Sequence, residues 1–118
     1  MKILIIEDET IIAMDLARLL YSLGAKEVKI VASAEEGLSW LSDRKPDLII
    51  VDIKLRGSMD GLQATRIIQK KGPFHLVYLT AYNDEIILKE AKDIPNLGVV
   101  IKPFTPNEIL NLFSKIIS

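Results

Sequence analysis

Five short apolar runs, each separated from the next by a stretch of helical length, constrain this chain more than any other feature. Ile3–Ile6, Val28–Val31, Leu48–Val51, Leu76–Leu79 and Val99–Ile101 are rich in β-branched residues and almost continuously apolar. That pattern predicts strands covered on both faces, because a sheet with one face in water alternates polar and apolar residues. Between the runs the period changes. Ile12, Leu16, Leu19, Leu20 and Leu23 recur at i, i+4, i+7, i+8 and i+11, the stripe of an amphipathic helix, and Gly24 stops it. Ser33-Ala-Glu-Glu36 and Thr105-Pro-Asn-Glu108 have the form of capping boxes, the second with Pro106 at the first helical position. Asp60 is the expected N-cap of a helix running to about Lys71, and Asn83 or Asp84 is expected to open the fourth helix. Strands alternating with helices predict an α/β fold, a doubly wound (βα)5 unit with a five-stranded parallel sheet and right-handed crossovers.

A length of 118 residues suits one domain, expected over 1–118, and no linker, repeat or low-complexity segment divides it. With 15 basic and 16 acidic side chains the net charge is −1, so no overall basic field argues for direct nucleic-acid binding. The absence of cysteine excludes disulfides, thiolate metal sites and cysteine nucleophiles. No apolar run approaches the length of a membrane span, and acidic residues arrive by Glu7, too early for a signal peptide. The expected compartment is the cytoplasm.

Ligands of open α/β sheets bind outside the carboxyl ends of the strands. The first predicted strand ends in Glu7-Asp8, the third in Asp52, the fourth in Thr80-Ala81 and the fifth in Lys102-Pro103. Each of these residue types is ordinary at a strand end when taken singly, as a cap or a solvated loop residue. Asp52 is the exception, because it lies between Leu-Ile-Ile-Val and Ile-Lys-Leu, where an unpaired carboxylate is costly. Carboxylates crowded at one edge raise one another's pKa unless a cation lies among them. All-oxygen donors suit a hard ion, and Mg²⁺ favours one or two carboxylates, waters and a phosphate oxygen. In such a site the Asp52 carboxylate is a nucleophile for phosphorus, with Lys102 and Thr80 as cation and hydroxyl for the phosphoryl oxygens.

Ile-Ile-Glu-Asp-Glu at the start, Val-Asp-Ile-Lys-Leu, Asp60-Gly61, Leu-Thr-Ala and Ile-Lys-Pro-Phe occur in that order. Together they resemble the receiver domain of two-component response regulators, over essentially the whole chain. The resemblance implies strand order 2-1-3-4-5 and a phosphoacceptor, Asp52, charged by a sensor histidine kinase or a histidine phosphotransfer protein. It implies direct Mg²⁺ ligation by Asp8, Asp52 and the backbone carbonyl of Lys54, with Glu7 acting through water. Lys102 would pair with the phosphoryl group and Thr80 would report its arrival. The implied role is a switch rather than a turnover enzyme, with at most self-phosphorylation and self-dephosphorylation.

Two departures stand out. Many receivers carry an aromatic residue three positions before the lysine, and here that position is Val99; Tyr82 is the nearest replacement as switch aromatic. The loop after Asp52, Lys-Leu-Arg-Gly-Ser-Met-Asp-Gly, lacks a proline that many receivers have there. The last helix is richer in apolar residues than one buried stripe requires, with Ile109, Leu110, Leu112, Phe113, Ile116 and Ile117, so an output partner or homodimer contact is expected on the surface formed by the fourth helix, fifth strand and fifth helix. His75, the single histidine, and Trp40 read as structural. Two other readings share parts of the pattern. A haloacid dehalogenase-like phosphohydrolase would need a second Asp two residues after the nucleophile, a place held by Lys54. A flavodoxin-like FMN carrier would need a phosphate-binding loop where Glu7-Asp8-Glu9 would repel the phosphate.

Overall fold

The computed structural model describes residues 1–81 and 85–117, the side chain of 117 excepted. Tyr82, Asn83 and Asp84 lie outside the described residues, and with them the expected switch aromatic and the start of the fourth helix. Five strands and five helices alternate among the described residues: β1 (Lys2–Ile6), α1 (Thr10–Ser22), β2 (Glu27–Val31), α2 (Ala34–Trp40), β3 (Leu48–Asp52), α3 (Gly61–Lys70), β4 (Leu76–Thr80), α4 (Glu85–Lys92), β5 (Gly98–Ile101) and α5 (Pro106–Ile117). All strand pairs are parallel and the order is β2-β1-β3-β4-β5, the flavodoxin-like arrangement that the alternation and the resemblance led to.

The parity of the strands sorts the core into two layers. Ile3, Ile5, Leu48, Ile50, Val77, Leu79 and Val100 face α1 and α5, meeting Leu16, Leu20, Ile109 and Phe113. Leu4, Ile6, Ile49, Val51, Leu76 and Tyr78 face the other way, onto Leu62, Ala64, Ile68, Ala91 and Ile94. Central strands β1, β3 and β4 are buried along nearly their whole length, whereas β2 alternates exposed and covered residues. The near-continuous apolar rule therefore fails at β2, because an edge strand keeps Glu27 and Lys29 in water.

The helix ends obey local chemistry. At the end of α1, the Gly24 N–H donates to Tyr21 O and the Ala25 N–H to Leu20 O, the paired bonds of a Schellman turn, and Gly24 supplies the φ of +109° that it needs. Ser33 caps α2 by accepting from the Glu36 N–H at 3.2 Å. At α5, Thr105 and Glu108 bond reciprocally at 3.3 Å. At α3, Asp60 accepts from the Gln63 N–H while Gln63 accepts from the Asp60 N–H, both at 2.9 Å. That box positions the start of α3 against the end of β3.

Candidate functional site

In-register pairing brings the polar strand ends to one edge. Ile6 pairs with Val51, so Glu7 follows beside Asp52; Asp52 pairs with Leu79, and Thr80 with Ile101, so Lys102 emerges next to Thr80. The Lys102 N–H donates to the Thr80 carbonyl at 2.7 Å, and the Lys102–Pro103 peptide is cis.

Four carboxylates, Glu7, Asp8, Glu9 and Asp52, offer ligand atoms within 4.8 Å of one another. Lys102 reaches into this cluster. Its ammonium lies 3.1 Å from Asp52 Oδ2, 3.2 Å from Glu9 Oε1 and 3.4 Å from each Glu7 oxygen. The lysine, Glu7 and Asp52 side chains are buried, at 7%, 0% and 4% exposure, so these attractions are weakly screened. Asp8 is partly open and Glu9 is exposed. Its Oδ2 accepts from the Arg56 N–H at 3.1 Å and lies 3.6 Å from Arg56 Nε. Asp52 Oδ1 accepts from the Lys54 N–H at 3.0 Å, which orients the carboxylate toward the cluster.

Electrostatics follow from that crowding. Burial, then the hydrogen bond to Asp52 and its charge, push the Glu7 carboxyl up to about 7, against the opposing pull of Lys102 and the Glu9 N–H. Burial alone would lower the Lys102 pKa, but Asp52, Glu7 and Glu9 together outweigh it and hold the ammonium above its ordinary range. Among the described ion pairs, four acids face Lys102 and Arg56, a surplus of negative charge in those pairs when all are ionised. The donors are all oxygen, a set suited to a hard divalent ion.

Every site residue singled out in the sequence except Tyr82 is described, and all of those stand at this edge. Thr80 is buried at the end of β4, and Lys54 sits in the loop after Asp52. His75 is exposed at the opposite end of β4, its carbonyl accepting from the Ile49 N–H, and takes no part. Trp40 packs half-buried on the α2 side with the Arg44 guanidinium 5.2 Å from its ring centroid, a structural contact.

Sequence reasoning missed three contributors. Glu9 bonds Lys102 from the first position after the Glu7-Asp8 pair, and the third acid in that run was the signal. Arg56 meets Asp8 across 48 positions, with no sequence cue. Gly61 is required by close approach: a Cβ there would lie 2.0 Å from the Asp52 carbonyl oxygen, and its N–H donates to Ile53 O.

A doubly wound sheet with buried acids and a lysine at one edge defines the receiver class of signalling switch. The comparisons agree: the chain matches the response regulator receiver domain family over residues 3–114, and it belongs to that family. It is 32% identical over 109 residues to the transcriptional regulatory protein PdtaR of Mycobacterium tuberculosis, covering 92% of this chain and 53% of that protein. It is 33% identical to the phyllosphere-induced regulator PhyR of Methylorubrum extorquens, covering 97% of this chain and 42% of that one. The chain thus spans about half the length of the curated relatives it matches. Among solved structures, a CheY-like receiver domain protein from Methanospirillum hungatei superposes with a TM-score of 0.89 at 27% identity, covering 97% of this chain and 90% of that one. The N-terminal domain of a response regulator from Carboxydothermus hydrogenoformans gives 0.89 at 30% identity, covering 98% and 93%. Response regulator receivers are components of two-component signalling systems, and no described helix of this chain is long and apolar enough to cross a membrane.

Proposed function

We propose that Asp52 accepts a phosphoryl group from a phosphohistidine and that the resulting acyl phosphate switches the domain. The observation that carries this reading is the buried Lys102–Asp52 contact of 3.1 Å inside a four-carboxylate cluster. In this step an Asp52 oxygen attacks phosphorus, a new P–O bond forms and the P–N bond breaks. The imidazole leaves with the electron pair and regains a proton from solvent. The Lys54 N–H on Oδ1 leaves Oδ2 as the oxygen facing Lys102, and the ammonium is within reach of the incoming phosphoryl oxygens. Asp8 and Asp52 with the Lys54 carbonyl, and Glu7 through water, would hold Mg²⁺, which supplies charge neutralisation for the approach of one anion to another.

The phosphoryl group adds roughly −1.5 to −2 charge and three acceptor oxygens. Thr80 and Lys102 interact with those oxygens better in one arrangement of their strand ends than in the other, so that arrangement gains population. The surface that changes is α4, β5 and α5. Ile86, Ile101 and Leu110 are exposed there, which supports contact with an output partner or a second copy. The donor is a sensor histidine kinase or a histidine phosphotransfer protein, the unit that acts is the single domain 1–118, and the compartment is the cytoplasm. Direct nucleic-acid contact is no part of this role. The chain turns over only through its own phosphorylation and dephosphorylation.

Intact-mass measurement with a small phosphodonor tests this. Parent protein with Mg²⁺ is expected to gain the mass of one phosphoryl group, and Asp52→Asn is expected to gain none. A gain in both, or sustained hydrolysis of excess donor with no adduct, would replace the switch reading with another acceptor or a phosphohydrolase.

A further inference from the structure

The cation nearest Asp8 comes from the loop after the phosphoacceptor strand. Arg56 is tied there by its backbone: its N–H donates to Asp8 Oδ2 at 3.1 Å, so the side chain starts from the rim of the acid cluster. Its Nε is 3.6 Å from the same oxygen. The two partners differ sharply in environment, since the Asp8 side chain is 12% exposed and that of Arg56 is 89% exposed. An exposed guanidinium is held weakly and exchanges readily with solvent, but its charge remains beside Asp8, a partly buried carboxylate of the cluster. Lys102 pairs with Asp52, Glu7 and Glu9, and Arg56 is the cation that pairs with Asp8 among the described ion pairs.

We propose that Arg56 is a built-in competitor for the metal position: its guanidinium neutralises Asp8 when no divalent cation is bound and weakens the binding of one. The inference rests on the reading that this cluster takes Mg²⁺. A divalent ion at Asp8 must displace the guanidinium and then endure its repulsion. Displacement costs little because the guanidinium itself is exposed and finds water in place of Asp8, so the device lowers affinity without closing the site. Free Mg²⁺ would then have to reach a higher concentration before the site fills, and filling would release a cationic side chain at the mouth through which a donor approaches.

The test is an NMR titration of the parent, Arg56→Ala, Arg56→Lys and Arg44→Ala with MgCl₂, following backbone amides of the loop after β3. Arg56→Ala is expected to bind about three- to fivefold more tightly at low ionic strength, the scale of one exposed ion pair. The gain should shrink as NaCl is raised. Arg56→Lys should fall between Ala and the parent. Arg44→Ala removes the same formal charge far from the cluster and should match the parent. Equal or weaker binding by Arg56→Ala, or the same gain from Arg44→Ala, would overturn the proposal while leaving the metal site intact. A complete lack of saturable response in all four proteins would remove the metal reading, and this inference with it.

Discussion

Raising the pH should destabilise the metal-free protein, and Glu7 should be the cause. Its carboxyl is pushed from an ordinary 4.5 to about 7, first by burial and then by Asp52. Between those values the folded chain holds a proton that the unfolded chain has released. Stability is therefore greatest below about 4.5 as far as this group is concerned, falls as pH rises, and has lost the full contribution above about 7. The gap of roughly 2.5 pH units corresponds to about 3 kcal/mol, an upper figure because the neighbouring charges titrate together. The assay is urea denaturation in EDTA at pH 5 and pH 8, for the parent and for Glu7→Gln. Other groups titrate in both proteins, so the quantity that matters is the difference between their pH dependences. The parent should lose up to about 3 kcal/mol more than the variant over that range, and saturating Mg²⁺ should restore most of it at pH 8. Parallel pH profiles for the two proteins, or a parent that gains stability relative to Glu7→Gln as pH rises, would refute the argument that the folded chain holds a proton on Glu7.

Further outcomes follow from other contacts. Gly61→Ala should cost about 2–4 kcal/mol in urea denaturation and slow phosphoryl uptake, because backbone of β3 stands where the methyl must go and α3 has to move. Lys102→Met should lose about 3 kcal/mol at pH 8 without Mg²⁺, since it leaves Asp52 and Glu7 buried without their cation, and should slow phosphoryl transfer measured by mass. Tyr78→Phe should cost about 1 kcal/mol in the same denaturation assay. In the parent, the Thr65 hydroxyl donates to Leu62 O, so the Tyr78 hydroxyl donates to Thr65 at 2.8 Å, a buried link from β4 to α3.

Most of the architecture could be read from local pattern. Each strand run matched a strand to within one residue at either end. At β1, β3 and β4 burial on both faces leaves a signature that needs no knowledge of neighbours, while the edge strands β2 and β5 were legible from their β-branched residues. The capping residues Ser33, Asp60 and Thr105 act within three positions of their partners, so they too were legible. Asp52, Asp8, Glu7, Thr80 and Lys102 were legible as a set because parallel topology sends every strand end to the same edge. What escaped depends on distances between segments far apart in the chain. Arg56 meets Asp8 because the loop after β3 passes the segment that follows β1, a contact across 48 positions that no periodicity announces. Gly61 read only as the opening of a helix behind its cap Asp60, whereas its tighter constraint is the Asp52 carbonyl against it. Tyr78 read as one more apolar strand residue, yet it pairs in register with Val99 and bonds Thr65. A ring thus stands on β4, beside the β5 position where the sequence comparison led to the expectation of one.

The central claim is that Asp52, and no other carboxylate of the cluster, becomes the acyl phosphate. Borohydride reduction after treatment with Mg²⁺ and a phosphodonor tests it directly, because it converts an acyl phosphate to an alcohol and leaves free carboxylates untouched. Peptide mass mapping is expected to find homoserine at position 52 only, and none when EDTA replaces Mg²⁺. Homoserine at position 8, the corresponding reduced product at Glu7 or Glu9, or an unchanged Asp52 in protein that had gained a phosphoryl group would contradict the account.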